Sequence, residues 1–120
     1  MKSPEVSAPE GGSVGLLAVR DLSPEVAPGA YVQLEIDWGI EQPFARNWSL
    51  FAHLITSDGV IIAQRDVYPG GGRLATRDLA AGYAWRNPLA IPVPASAYAP
   101  AVLNVEIGWY DLATGERLIL

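Results

Sequence analysis

The chain has 120 residues, half of them hydrophobic and 18% charged, which suits a single domain with one core and excludes a disordered chain. Eight basic residues against thirteen acidic ones give a formal charge of −5, which argues against nucleic acid as a partner, and the absence of Cys removes disulfides, thiolate catalysis and Cys-based metal sites. No apolar run approaches the roughly 20 residues that span a bilayer, so no membrane insertion is expected, and the first residues place acids and prolines where a signal peptide would carry its apolar stretch.

Residues 1–12 combine two Pro and a Gly pair with little apolar content, the composition of a flexible tail or linker, so the domain is expected to run from 13 to 120. From Ser13 onward, short apolar runs alternate with Pro, Gly, Asn and Asp clusters, and no stretch keeps a helical apolar period. Residues 13–20 form a first candidate strand. Pro28-Gly29 suits a type II turn, whose second central position needs positive φ. Beyond it Val32, Leu34, Ile36 and Trp38 alternate with Gln33, Glu35 and Asp37, as in a strand with one buried face. In 47–56 both alternating sets are largely apolar, which predicts a central strand covered on both sides. Asp58-Gly59 then turns the chain into 60–67, so that 47–67 reads as a hairpin.

A long loop, expected to be flexible, spans roughly 68–83 and holds Pro69 and three consecutive glycines. Pro88 and Pro92 in the following run predict a sheet edge or a bulge. Leu103, Val105, Ile107 and Trp109 share one face of the next strand, and the turn from Asp111 to Glu116 returns it as a final hairpin. About seven strands with regular turn signals predict an all-β fold, an antiparallel two-sheet sandwich, with a small barrel as the alternative.

The candidate chemistry is thin. His53 is the lone histidine and no metal site is expected; set between Ala52 and Leu54 it reads as a buried, hydrogen-bonded structural residue. Glu35 and Asp37 could pair as glycosidase carboxylates, but their alternation with Leu34 and Ile36 already requires outward polar residues. The glycine run at 70–72 lacks the Lys-Ser/Thr pair of a phosphate loop, and no cofactor is expected. Trp38, Trp48 and Trp109 follow the apolar phase of their strands and are core candidates. Trp85, with Tyr83 and Tyr68 bordering the long loop and Arg73 and Arg77 within it, forms the candidate ligand-binding patch: aromatic faces for a sugar ring, guanidinium groups for an anionic substituent.

The succession Pro28-Gly29, Leu34-x-Ile36-x-Trp38, Trp48-x-Leu50-Phe51-x-His53-Leu54, Asp58-Gly59, Gln64-x-Asp66, Pro69 and Thr76, closed by Gly108-Trp109-Tyr110-Asp111 and Thr114-Gly115-Glu116-Arg117-Leu118, resembles an uncharacterised β-sandwich domain of Chloroflexi-type bacteria. That domain is often appended to membrane proteins similar to dolichyl-phosphate-mannose-type glycosyltransferases. Residues 77–82 depart from it, standing where those domains carry a Trp and a Pro-Gly turn. The resemblance implies an immunoglobulin-like or fibronectin-like accessory module on the outer side of a membrane, part of a larger protein, without catalytic residues. The expected function is therefore non-enzymatic: interaction with a glycan or a neighbouring protein, with a structural or self-assembling module, or a small carboxylate-dependent hydrolase, as rivals.

Overall fold

The period-two pattern of 31–38 is realised as a strand in a computed structural model that describes residues 5–99 and 101–119. Among the described residues eight strands follow in chain order: β1 (Glu5–Ser7), β2 (Ser13–Asp21), β3 (Tyr31–Gln42), β4 (Ser49–Thr56), β5 (Ile61–Val67), β6 (Ala84–Pro92), β7 (Leu103–Tyr110) and β8 (Arg117–Ile119). They build two four-stranded antiparallel sheets, ordered β1-β2-β3-β6 and β5-β4-β7-β8. With β1 set aside, this is the A-B-E and C′-C-F-G arrangement of an immunoglobulin-like sandwich, and the two separate sheets replace the barrel alternative. Among the described residues no helix is long and apolar enough to cross a membrane.

The core lies between the sheets. Leu34, Ile36, Trp38 and Ile40 of β3 face Leu50, Ala52 and Leu54 of β4 and Trp109 of β7. Trp109 stands edge-on to Trp38, ring centroids 5.2 Å apart, and to Trp85 at 6.2 Å. The prolines of β6 sit on an edge strand as expected, with Pro88 opposite Glu35. Strand β4 is interior to its sheet and buried on both faces through Leu54, because Phe51 and His53 are covered on the side away from the core. That cover depends on Gly108, directly opposite Phe51: a Cβ there would lie 2.5 Å from the phenyl ring.

The expected boundary at residue 13 is corrected. Residues 5–7 pair with 13–15 of β2, and Val6 and Ala8 are buried, so this segment belongs to the sandwich; residues 1–4 lie outside the described residues. Composition misled because only two apolar side chains do the anchoring, around a turn where Gly12, at φ +107°, lets the Phe44 ring approach closer than any Cβ would permit.

Candidate functional site

The long loop is folded rather than free. It contains a helical turn, α1 (Pro69–Gly72), and a 3-10 turn over Thr76–Asp78, and it inserts Leu79 into the core. Thr76, itself buried, accepts a hydrogen bond from the Trp48 N–H at 2.8 Å and donates one to the Arg46 carbonyl at 2.9 Å. The Gly70 N–H donates to Asn87 Oδ1 and the Arg77 N–H to Asn47 Oδ1, while Gly82 and Tyr83 exchange backbone bonds with Ile40. The glycines signalled flexibility; the partners that hold the loop are distant in sequence and could not be read from it.

Of the five residues singled out at this loop, the structure brings Tyr83 and Trp85 together, ring centroids 6.1 Å apart. Tyr68, Tyr83, Arg73 and Arg77 are exposed. Trp85 is half-buried: it lies opposite Trp38 in the register, on the core-facing side of β6, where its indole meets Trp109 and donates a long 3.4 Å hydrogen bond to Asn87. The alternation Trp85, Asn87, Leu89, Ile91 continues inward along β6, a signal that Pro88 and Pro92 obscured in the sequence. The surface at this loop offers two exposed tyrosines and two exposed arginines, and neither groove described below is lined by any of the five.

The polar clusters elsewhere hold the fold. Arg46 donates to both oxygens of Glu10, to Asp111 and to Glu116 at 2.7–3.0 Å, and its guanidinium lies 4.5 Å above the Trp48 ring. It thereby ties the β1–β2 turn and the β7–β8 hairpin to the segment entering β4. Burial alone would push the Asp111 carboxyl up; hydrogen bonds from the Ala113 N–H and Arg46 outweigh it and hold the group below the ordinary range. The hydrogen bond from Arg46 likewise lowers Glu10, and the acceptors Glu10, Glu116 and Asp111 raise the Arg46 guanidinium. The closing hairpin that carries the sequence resemblance is thus a structural clasp. Asp37 sits on the outer face of the other sheet between Arg20 at 2.9 Å and Arg86 at 3.0 Å, and hydrogen bonds from Arg20 and then Arg86 lower it to about 2. His53 is buried against Phe51, as expected, but its Nδ1 makes no hydrogen bond: Glu106 Oε1 approaches it at 3.4 Å.

The concave surface lies at the far end and on the opposite side of the sandwich. There, among the described residues, β1 pairs with residues 13–15 of β2, and β8 with 108–110 of β7. Along the remaining length the sheets part, leaving a groove of about 770 Å³ lined by Leu16, Val19 and Leu34 on one wall and by Val105, Glu106 and Ile107 on the other. It runs into a second groove of about 560 Å³, sharing Asp21 and Val105, between the loops 22–30 and 93–99. Val19 and Val105 are 48% and 36% exposed, unusually open for β-branched residues on the inward side of a sandwich. The sequence concealed this groove, since period-two alternation predicts an inward face but not whether another strand closes over it.

No family model and no curated protein matches this chain. The groove and the pinned loop are therefore read on their own geometry.

Proposed function

We propose that this domain is a non-catalytic accessory module that recognises a protein partner through the open side of its sandwich. The observation that carries this reading is the apolar groove between β2 and β7, where the inward-facing Val19 and Val105 stay accessible. The resemblance to domains appended to glycosyltransferase-like membrane proteins supports a place on the outer side of a membrane, within a larger protein. The carboxylates support a non-enzymatic role. A glycosidase acid must be held protonated by a raised pKa, whereas Asp37 is held ionised by two arginines, and Asp111 and Glu10 are also lowered.

A glycan reading rests on Tyr83 beside Trp85 and is favoured less, because Trp85 is half-buried and packs against Trp109. Panning a random peptide library and a glycan array against the domain and its Val19→Asp variant separates the two. The expected result is peptide ligands that lose binding in Val19→Asp. Ligands indifferent to Val19→Asp, glycans lost on Tyr83→Ala, or no ligand at all overturn the reading.

A further inference from the structure

The chain has no Cys and a single Met, so its most readily oxidised side chains beyond that Met are the four Trp and five Tyr. Four of these form one line of neighbouring rings. Trp38 stands edge-on to Trp109 at 5.2 Å between centroids, Trp109 edge-on to Trp85 at 6.2 Å, and Trp85 lies beside Tyr83 at 6.1 Å. The line crosses the sandwich: Trp38 of β3 and Trp85 of β6 belong to one sheet, Trp109 of β7 to the other, and Tyr83 stands just before β6. Exposure rises along it, from 0% at Trp38 and 1% at Trp109, through the half-buried Trp85, to 41% at Tyr83. Trp48 packs instead against Phe44 and Arg46.

We infer that Trp38, Trp109, Trp85 and Tyr83 form a one-electron relay that carries an oxidising equivalent out of the core to the surface at Tyr83. The starting event is the removal of one electron from an indole, by an oxygen-centred radical or by light, which leaves an indole cation radical. Each neighbour in turn passes one electron inward, so the vacancy moves outward and the earlier ring is restored. At Tyr83 the phenol gives up the electron and its hydroxyl proton goes to water. The products are one neutral tyrosyl radical, one hydrated proton and the oxidant reduced by one electron.

Two features give the relay its direction. A cation radical in the core is an unpaired buried charge, which is penalised there and relieved toward water. Proton transfer is the second. The indole N–H groups of Trp38 and Trp109 are buried and, among the described residues, meet no acceptor. Neither indole can hand its proton to a side-chain base and settle as a neutral radical, so the vacancy stays strongly oxidising and moves on. The Trp85 N–H reaches the amide oxygen of Asn87 at 3.4 Å, which is no base. Tyr83 is the exposed member of the line, and among the described residues its hydroxyl has no hydrogen-bond partner, which leaves solvent to take the proton. Tyr110 follows Trp109 in the chain but packs on the outer face of its sheet, against Phe51. The relay is independent of the groove between β2 and β7.

The test is laser flash photolysis of the full chain at the red edge of the indole band, where tyrosine does not absorb, with dissolved oxygen taking up the ejected electron as superoxide. The expected result is a rise of tyrosyl absorption in step with decay of the indole radical, at a rate unchanged by diluting the protein. Tyr83→Phe, which removes only a hydroxyl, abolishes the rise. Trp85→Phe, verified as folded by circular dichroism, abolishes it too, and Trp48 contributes a slow decay common to all variants. Under prolonged illumination in air, peptide mapping finds ring-oxidised Trp38 and Trp109 accumulating faster in Tyr83→Phe than in the parent chain.

A tyrosyl rise of full size in Tyr83→Phe places the exit elsewhere and overturns the inference, as does a rate that scales with protein concentration. Unchanged transfer in folded Trp85→Phe breaks the assigned path and overturns it as well. Equal damage at Trp38 and Trp109 with and without the Tyr83 hydroxyl means that nothing is drained from the core, which also overturns it. Should Trp85→Phe fail to fold, Tyr83→Phe decides the matter, since the hydroxyl it removes holds nothing in the fold.

Discussion

Trp109→Ala tests the core on which every other placement depends. The indole is 1% exposed and is met edge-on by Trp38 at 5.2 Å and by Trp85 at 6.2 Å. Truncation removes on the order of 150–200 Å² of buried apolar surface, about 4–5 kcal/mol at ~25 cal/mol per Å². That agrees with the ~3–5 kcal/mol cost of Trp truncations in cores. Little relaxation is expected, because the flanking rings belong to two paired strands of the facing sheet and cannot close the void without sliding the β3–β6 register. A loss of this size is about a quarter or more of the ~5–15 kcal/mol that holds a domain folded. The assay is urea unfolding followed by far-UV circular dichroism, with an unchanged m value showing that the same surface is exposed on unfolding. The Trp38→Ala and Trp109→Ala cycle should show a coupling of about 0.5–1.5 kcal/mol from the edge-to-face pair. A loss below about 1.5 kcal/mol at unchanged m would refute the placement of Trp109 at the centre of the core.

Thr76→Val keeps the shape of a buried side chain but leaves the Trp48 N–H without its acceptor, so a cost of about 1–3 kcal/mol is expected, with Thr76→Ser recovering most of it; equal stability of Val and Ser variants contradicts the pinning role. Gly108→Ala drives a methyl against Phe51 and the Leu118 carbonyl and should cost about 1–3 kcal/mol, partly recovered by Phe51→Leu in the same chain; a neutral Gly108→Ala in thermal melts contradicts the close approach. Asp37, lowered to about 2, contributes stability that is complete above its ordinary value near ~4 and is lost as the pH falls toward 2. Arg86→Ala should move the Asp37 carboxyl titration upward in NMR; an unmoved midpoint contradicts the ion triad.

Much of the architecture was legible locally. Alternation at 31–38 and 103–110, the Asp58-Gly59 turn and the prolines of 84–92 each specify a strand, a hairpin or an edge from contacts within a few residues, because side chains on a strand alternate whatever the rest of the fold does. The three core tryptophans Trp38, Trp48 and Trp109 follow from that phase and are buried as the phase requires. The candidate site was not legible in the same way. Trp85 also obeys the alternation of its strand, but only the facing Trp109 shows that its ring is committed inward.

What the sequence by itself determined is the class of fold and the inward face of each strand, since both follow from periodicity and turn chemistry that act over short range. The tertiary structure decided the rest. It alone paired residues 5–7 with β2, closed the loop 69–82 onto Trp48 and Asn87, and joined Glu10, Asp111 and Glu116 around Arg46, contacts spanning up to 70 residues. It alone left Val19 of β2 and Val105 of β7 accessible beside a groove, because whether an apolar strand face is covered depends on what packs over it, a property that no residue of β7 encodes.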